Sequence, residues 1–111
     1  MDILSCEIFD LLNRLGISAN YIGFFQTACA VDLCRAEPNR LLKVTKMVYP
    51  EVARQFGTSC TAVERNIRTV CGVAWKNNRW LLEQLAHQPL PQKPHNARFL
   101  AILSFSIQKY R

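Results

Sequence analysis

Apolar residues recur at helical spacing in one segment after another of this 111-residue sequence, and no stretch alternates convincingly with a period of two. Ile8, Leu11, Leu12 and Leu15 form the first such stripe, and Gly16 follows them at a position where glycine commonly ends a helix. The pattern therefore predicts an all-α fold, a compact bundle of about six to seven helices.

Proline, glycine and capping residues divide the rest of the chain into further predicted helices. Residues 88–95 include three prolines and are predicted to form a loop, since no helix continues through such a segment. The later helices are predicted from Ser18 to about Ala36, from about Asn39 to Tyr49, over Pro50–Phe56, from Thr58-Ser59 to about Lys76 with a break at Asn77-Asn78, over Arg79–His87, and from a cap at Asn96 onward.

The same spacing predicts which side chains enter the core. The second helix places Phe24, Ala28, Val31 and Cys34 on one stripe, and the third carries Leu41, Leu42, Val44 and Val48. Trp75 and Trp80, on either side of the predicted break, are interpreted as core or corner packing rather than as platforms for stacked bases.

Charge is distributed unevenly along the chain, whose formal net charge is +6. Residues 1–37 hold five acids and two bases, whereas residues 38–111 hold twelve bases and three acids. A basic body behind a mildly acidic N-terminal third is typical of a surface that binds a polyanion, most often nucleic acid. A basic protein without such a partner is the alternative, and composition alone does not choose between them.

Several protein classes are excluded by what the sequence lacks. Its first 15 residues carry three acids where a secretory signal would be basic and then apolar, and no run of about 18 apolar residues could span a membrane. The five cysteines show no C-x-x-C spacing, and no nucleotide-binding, P-loop or hydrolase motif is present. We therefore expect a cytoplasmic protein with one domain over residues 1–111 and buried reduced thiols, without catalytic residues, a metal or a cofactor.

Residues 50–76 combine a short helix, a turn at Gly57 and a longer helix that begins behind a hydroxyl cap. This order is the helix-turn-helix pattern, in which the second helix, here at about residues 59–76, enters the major groove of DNA. On a helical wheel one side of that helix is apolar and consists of Val63, Ile67, Val70 and Ala74. The opposite side is polar or small and consists of Thr61, Arg65, Arg68, Thr69 and Gly72, with Glu64 at its edge.

The polar side of this helix has residue types that read DNA. Arginine can donate to guanine O6 and N7 together, and a carboxylate can accept from cytosine N4. Glu64 beside Arg65 favours base reading over purely electrostatic binding, because phosphates would repel the carboxylate. Thr61 and Thr69 are short enough to bond phosphates without holding the helix out of the groove. A solvated helix face with an ordinary mixture of charges is the alternative.

Two blocks of the sequence together resemble a known family. They are residues 44–56, VTKMVYPEVARQF, and residues 63–68, VERNIR, followed by Val73-Ala74-Trp75. Leu15-Gly16-Ile17, Gly23-Phe24, Phe99 and Ala101 extend the similarity, which runs from about Leu12 to Ile107. The sequence is similar over this range to the DNA-binding effector domain of the master response regulator of sporulation initiation in spore-forming bacteria.

The resemblance implies a six-helix-type fold, winged-helix-like but without a wing sheet, that binds a short promoter element in double-stranded DNA, often as tandem sites. It assigns base contacts to Glu64 and Arg65, and backbone contacts to Arg68, Thr61 and Ser59. Family members also carry an N-terminal receiver domain, for which this sequence has no space. Phosphorylation is therefore not expected to be its own switch.

Three positions depart from the family pattern. Ala62 and Ser106 stand where the family has basic residues, so phosphate contacts are expected to be lost there, and Thr69 replaces a histidine. Sequence-specific DNA binding in transcriptional control, related to sporulation, is the first hypothesis. The second is a protein-interaction module that keeps the fold, binds DNA weakly and modulates a full-length regulator.

Partners other than DNA are left open by the sequence. Phe105 lies off the apolar stripe of the last helix, where it is either exposed as a contact for a partner or tucked under the Pro-rich loop. Pairing of two copies on DNA, and contact with RNA polymerase or another regulator, are compatible with either hypothesis. No membrane partner is expected.

Overall fold

The computed structural model describes residues 3–108, with the side chains of residues 6–107, as a packed set of helices. In that range there are six α-helices and one 3₁₀ helix, and no residue lies in a strand. The elements are α1 (Ile3–Arg14), α2 (Gly23–Ala36), the 3₁₀ helix (Pro38–Lys43), α3 (Val44–Met47), α4 (Tyr49–Phe56), α5 (Cys60–Ala86) and α6 (Asn96–Gln108). The all-α prediction is confirmed. None of these helices has the length and apolarity that a membrane crossing requires.

α2 lies at the centre of the packing and contacts α1, α4, α5, α6 and the 3₁₀ helix. The stripe predicted for it is buried, and it consists of Phe24, Ala28, Val31 and Cys34. The predicted start at Ser18 is wrong, because α2 begins at Gly23. Ser18 instead opens a turn, in which its carbonyl oxygen accepts a hydrogen bond from the Tyr21 N–H at 3.2 Å.

The single third helix predicted from Asn39 to Tyr49 is also wrong. Lys43, the last residue of the 3₁₀ helix, has φ −147° and ψ 65°, which are not helical, so the helix is interrupted before α3 begins at Val44. The apolar stripe predicted from one continuous helix therefore does not identify which of these side chains are buried. Leu42, predicted to be apolar core, is 81% exposed, whereas Val48 is fully buried.

The break predicted at Asn77-Asn78 is confirmed, and both asparagine side chains hold it. Asn78 leaves the helical conformation at φ −152° and ψ 58°, within what is otherwise α5. Its Nδ2 donates to the Arg14 carbonyl oxygen at 2.8 Å, and Asn77 Nδ2 donates to that of Gly16 at 3.2 Å. The Asn78 Oδ1 accepts from the Leu81 N–H at 3.2 Å, so it caps the segment that follows. The kink is thus bonded to the carboxyl end of α1.

The tryptophans on either side of the kink have different environments. Trp75 is partly buried against the core, and the Arg79 guanidinium lies 4.2 Å from its ring centroid. Trp80 is 68% exposed, so its interpretation as packing is wrong. The residues after the kink that enter the core are Leu81 and Leu82 instead.

The prediction of buried thiols holds for some cysteines only. Cys34 and Cys71 are buried, and burial raises the pKa of each thiol to about 11, which keeps it protonated and unreactive. Cys29 is partly buried. Cys6 and Cys60 lie at the surface, and for these two the prediction is wrong.

The amino-terminal half of α5 packs on the core through the predicted apolar stripe. Val63, Ile67, Val70 and Ala74 are all fully buried. The start of α2 approaches this helix very closely, since a Cβ added to Gly23 would lie 2.4 Å from the Asn66 carbonyl oxygen. Beside this contact, Asn66 Nδ2 donates to Gln26 Oε1 at 3.0 Å. Glycine at position 23 is therefore required by backbone-to-backbone packing.

We expect Gly23→Ala to lower the free energy of unfolding by about 1–3 kcal/mol, because overpacking against a backbone carbonyl cannot be relieved by rotating a side chain. Urea unfolding followed by circular dichroism measures this loss. Gly72→Ala is the matched control, since its added methyl group would meet only Lys93 Nζ at 4.0 Å, and alanine is favoured over glycine within a helix. Equal stability of Gly23→Ala and the wild type would contradict the close approach.

Candidate nucleic-acid interface

α4 and α5 form the predicted helix-turn-helix. α4 ends at Gly57, whose φ of 63° lies in the left-handed region that glycine adopts without strain. The Thr58 N–H donates to the Ala53 carbonyl oxygen at 3.0 Å and closes the turn. Ser59 then caps α5, because its Oγ accepts from the Ala62 N–H at 3.1 Å. Since Oγ accepts in this bond, its own proton is still available to a phosphate oxygen.

The outward side of α5 carries the residues that the helical wheel assigned to it. Thr61, Arg65, Arg68 and Thr69 are exposed, opposite the buried stripe, and Glu64 is partly exposed. No acidic side chain in the described part of the chain forms an ion pair with Arg65. Its guanidinium is therefore the cation on this face that is most available for base edges.

Glu64 and Arg68 form an ion pair one helical turn apart, which the sequence reasoning did not anticipate. Arg68 NH1 donates to Glu64 Oε2 at 3.2 Å. Both side chains are substantially exposed, so the pair contributes little to stability. The pair matters more for the charge of this surface. The positive charge of Arg68 compensates the negative charge of Glu64, so the carboxylate repels a phosphate less strongly.

Thr69 is engaged differently from Ser59. Its hydroxyl donates to the Arg65 carbonyl oxygen at 3.1 Å, within its own helix. A threonine hydroxyl has one proton, so it must rotate away from this carbonyl before it can donate to a phosphate. A phosphate contact by Thr69 therefore requires that local bond to be exchanged.

Asn96 has a structural role that sequence reasoning missed: the prediction that it caps the last helix is wrong, because it is the first residue inside α6. Its buried side-chain amide donates to Tyr49 Oη at 3.1 Å and to the Glu64 carbonyl oxygen at 3.0 Å. It thereby joins the start of α6 to α4 and α5. The tyrosine hydroxyl stays protonated at neutral pH, because burial raises its pKa. The sequence shows Asn96 and Tyr49 only as polar residues 47 positions apart, so nothing local connects them.

The basic side chains before α4 separate into two kinds. Arg40 is partly buried and structural, since NH1 donates to the Met47 carbonyl oxygen at the end of α3 and NH2 lies 3.7 Å from Glu37 Oε1. Lys43 and Lys46 are exposed. On α4, Arg54 and Gln55 donate to Glu51, and these bonds hold the pKa of that partly exposed carboxyl down at about 2.

Ser106 and Phe105, neighbours on α6, differ in their burial. Ser106 is buried, and its hydroxyl donates to the Ile102 carbonyl oxygen at 2.7 Å. The serine hydroxyl is thus turned inward to its own helix, and the lost phosphate contact expected at Ser106 stays a prediction. Phe105 is 53% exposed, which excludes the tucked alternative. Ala62 is partly exposed, and the lost contact expected there stays a prediction.

We expect Ser59→Ala to lower the free energy of unfolding by about 1 kcal/mol, because the first turn of α5 loses its cap. Ser59→Asp restores a capping oxygen and should recover the stability, while its negative charge should weaken binding to any duplex DNA. Thermal unfolding and fluorescence anisotropy separate the two effects. Wild-type stability in Ser59→Ala would contradict the capping role.

One comparison with known proteins bears on this interface. The family model described as "Sporulation initiation factor Spo0A C terminal" matches residues 8–107, nearly the whole chain. The matched range contains the helix-turn-helix and the α5 face described above. The chain therefore belongs to the family of the C-terminal domain of sporulation initiation factor Spo0A, a DNA-binding effector domain of a sporulation regulator.

Proposed function

We propose that this protein binds a specific sequence in double-stranded promoter DNA and regulates transcription connected with sporulation, by inserting α5 into the major groove. One observation carries the proposal: α5 buries one complete stripe and presents Arg65, Arg68 and Glu64 together on its opposite side. A helix held in this way can enter the groove without rearrangement, so little ordering entropy is lost on binding.

Arg65 and Glu64 are the base-reading residues of this proposal. The Arg65 guanidinium is exposed and can engage guanine O6 and N7 together. Glu64 can accept from cytosine N4, and its pairing with Arg68 keeps the carboxylate from being an isolated charge among phosphates. Arg68, Thr61, Ser59 and, after rotation, Thr69 contact the backbone and fix the register of the helix.

Arg65→Ala is expected to weaken binding to the preferred duplex by about 1–3 kcal/mol and to relax the base preference, because a bidentate base contact is lost. Arg68→Ala is expected to weaken binding to all sequences alike and to reduce the salt dependence. Fluorescence anisotropy tests both variants against a duplex that the wild type selects from a random pool and against its scrambled form, at two salt concentrations.

Arg14→Ala is the matched control for these variants. Arg14 is exposed near the end of α1 and lines a cavity with Glu7, Asp10 and Ser106, away from the outward side of α5. The substitution Arg14→Ala therefore removes one positive charge and leaves the proposed interface unchanged. Equal affinity of the wild type for the selected and scrambled duplexes would refute sequence-specific binding.

A protein-interaction role is the second candidate, favoured by the exposure of Phe105 on α6. A large apolar side chain held in water is stabilised when a partner covers it. We expect Phe105→Ser to keep the fold and to weaken pairing of two copies on a duplex with tandem sites. Sedimentation velocity of the protein–DNA complex measures this pairing. Unchanged pairing in the variant would argue against a contact at this position.

A further inference from the structure

A groove of about 540 Å³ lies beside α5 on the same side of the molecule as Arg68. Five parts of the chain line it: α3, the start of α4, α5, the loop before α6, and the first turn of α6. The exposed lining side chains that can donate to an anion are Thr45, Arg68, Lys93 and His95. Asn96 and Ala97, at the start of α6, bring the partial positive charge of a helix N-terminus to the same wall.

Lys93 reaches over the outward side of α5. A Cβ built on Gly72 would lie 4.0 Å from Lys93 Nζ, so the ammonium group stands over the position where a side chain is absent. Gly72 belongs to the same face as Arg65 and Arg68, and it lies one helical turn after Arg68. A charge from the loop before α6 therefore extends the basic surface of α5.

The charge of the groove is positive on balance. Glu64 is the single acid among the residues that line it in the described part of the chain, and Arg68 pairs with it at 3.2 Å. Lys93 therefore gives the groove a net positive charge, and His95 is a second hydrogen-bond donor to an anion. Both side chains are exposed, so they meet a ligand that approaches from solvent rather than one enclosed by the protein.

We propose that Lys93 and His95, together with Thr45, bind the phosphodiester backbone of the DNA strand that runs beside the base pairs contacted by α5. The inference rests on the proposed DNA binding of α5. It adds a second contact between the protein and the DNA backbone, about one turn of α5 beyond Arg68. A recognition helix in the major groove lies between two phosphate backbones, and backbone contacts on one side set its depth and tilt. The groove supplies those contacts from outside the helix-turn-helix.

Lys93→Gln tests this assignment, with Arg14→Gln as the control for loss of one positive charge. We expect Lys93→Gln to weaken binding about three- to tenfold near 0.1 M salt. The slope of log Kd against log salt should fall by about one, as expected for one lost phosphate contact. Lys93→Arg should restore most of the slope. Arg14→Gln should leave it close to the wild-type value, and thermal unfolding should show all three variants folded.

Neutral phosphates locate the contact. Duplexes with one methylphosphonate at a time should weaken wild-type binding at one or two neighbouring positions beside the element, and Lys93→Gln should be insensitive at those same positions. A slope unchanged in Lys93→Gln, or equal sensitivity of the variant and the wild type at every phosphate, would overturn the inference. So would saturable binding of inorganic phosphate at the groove combined with no methylphosphonate effect, since that result assigns a small anion.

Failure of the proposed function gives a different result. If the wild type selects no sequence, specific binding by α5 is refuted, yet the salt slopes of Lys93→Gln and Arg14→Gln are still measurable on an arbitrary duplex. A lower slope for Lys93→Gln alone then supports the backbone contact. If the wild type selects a sequence and the two slopes agree, the backbone contact at Lys93 is refuted while the function of α5 stands.

Discussion

The buried amide of Asn96 is the interaction on which the geometry of the interface depends. It donates to the Tyr49 hydroxyl and to the Glu64 carbonyl oxygen, so it connects α4, α5 and α6 at the base of the helix-turn-helix. Without the Asn96 amide, the Glu64 carbonyl oxygen and the Tyr49 hydroxyl would each lose a hydrogen-bond donor while they remain buried, which costs free energy. The same residue begins the wall that carries Lys93 and His95. The outward side of α5 and the groove beside it are therefore positioned together by the hydrogen bonds of this one amide.

α5 is fixed at two further places. Near its middle, the Asn66 carbonyl lies against Gly23, and the Asn66 side chain donates to Gln26. At the kink, Asn78 donates to the carbonyl of Arg14, the last residue of α1, and Asn77 donates to the carbonyl of Gly16 just beyond it, where the end of a helix leaves such groups unsatisfied. These contacts all lie on the inner side or past the face that carries Arg65. None of these contacts uses a side chain that is proposed to contact DNA.

Local features of the sequence predicted what local physics determines. Helical spacing identified the stripe from Val63 to Ala74, Gly57 marked the turn, and Ser59 marked the cap, because each depends on neighbours within one or two turns. The start of α2 and the division at Lys43 were not predictable in this way, since both depend on how the segments pack against one another. The exposure of Trp80 and the burial of Ser106 have the same origin. Lys93 and Asn96 were missed because their partners are far away in the sequence.

The backbone contact at Gly23 separates two kinds of change that this fold can accept. Position 23 and the inner side of α5 are constrained by close packing, so substitutions there alter the folded state itself. The side chains at positions 61, 65, 68 and 69 are exposed and lie outside this close packing. If α5 reads DNA as proposed, promoter preference can diverge through the base-reading positions 64 and 65 while the scaffold is retained, so surface mutation alone can direct the domain to new regulatory sequences.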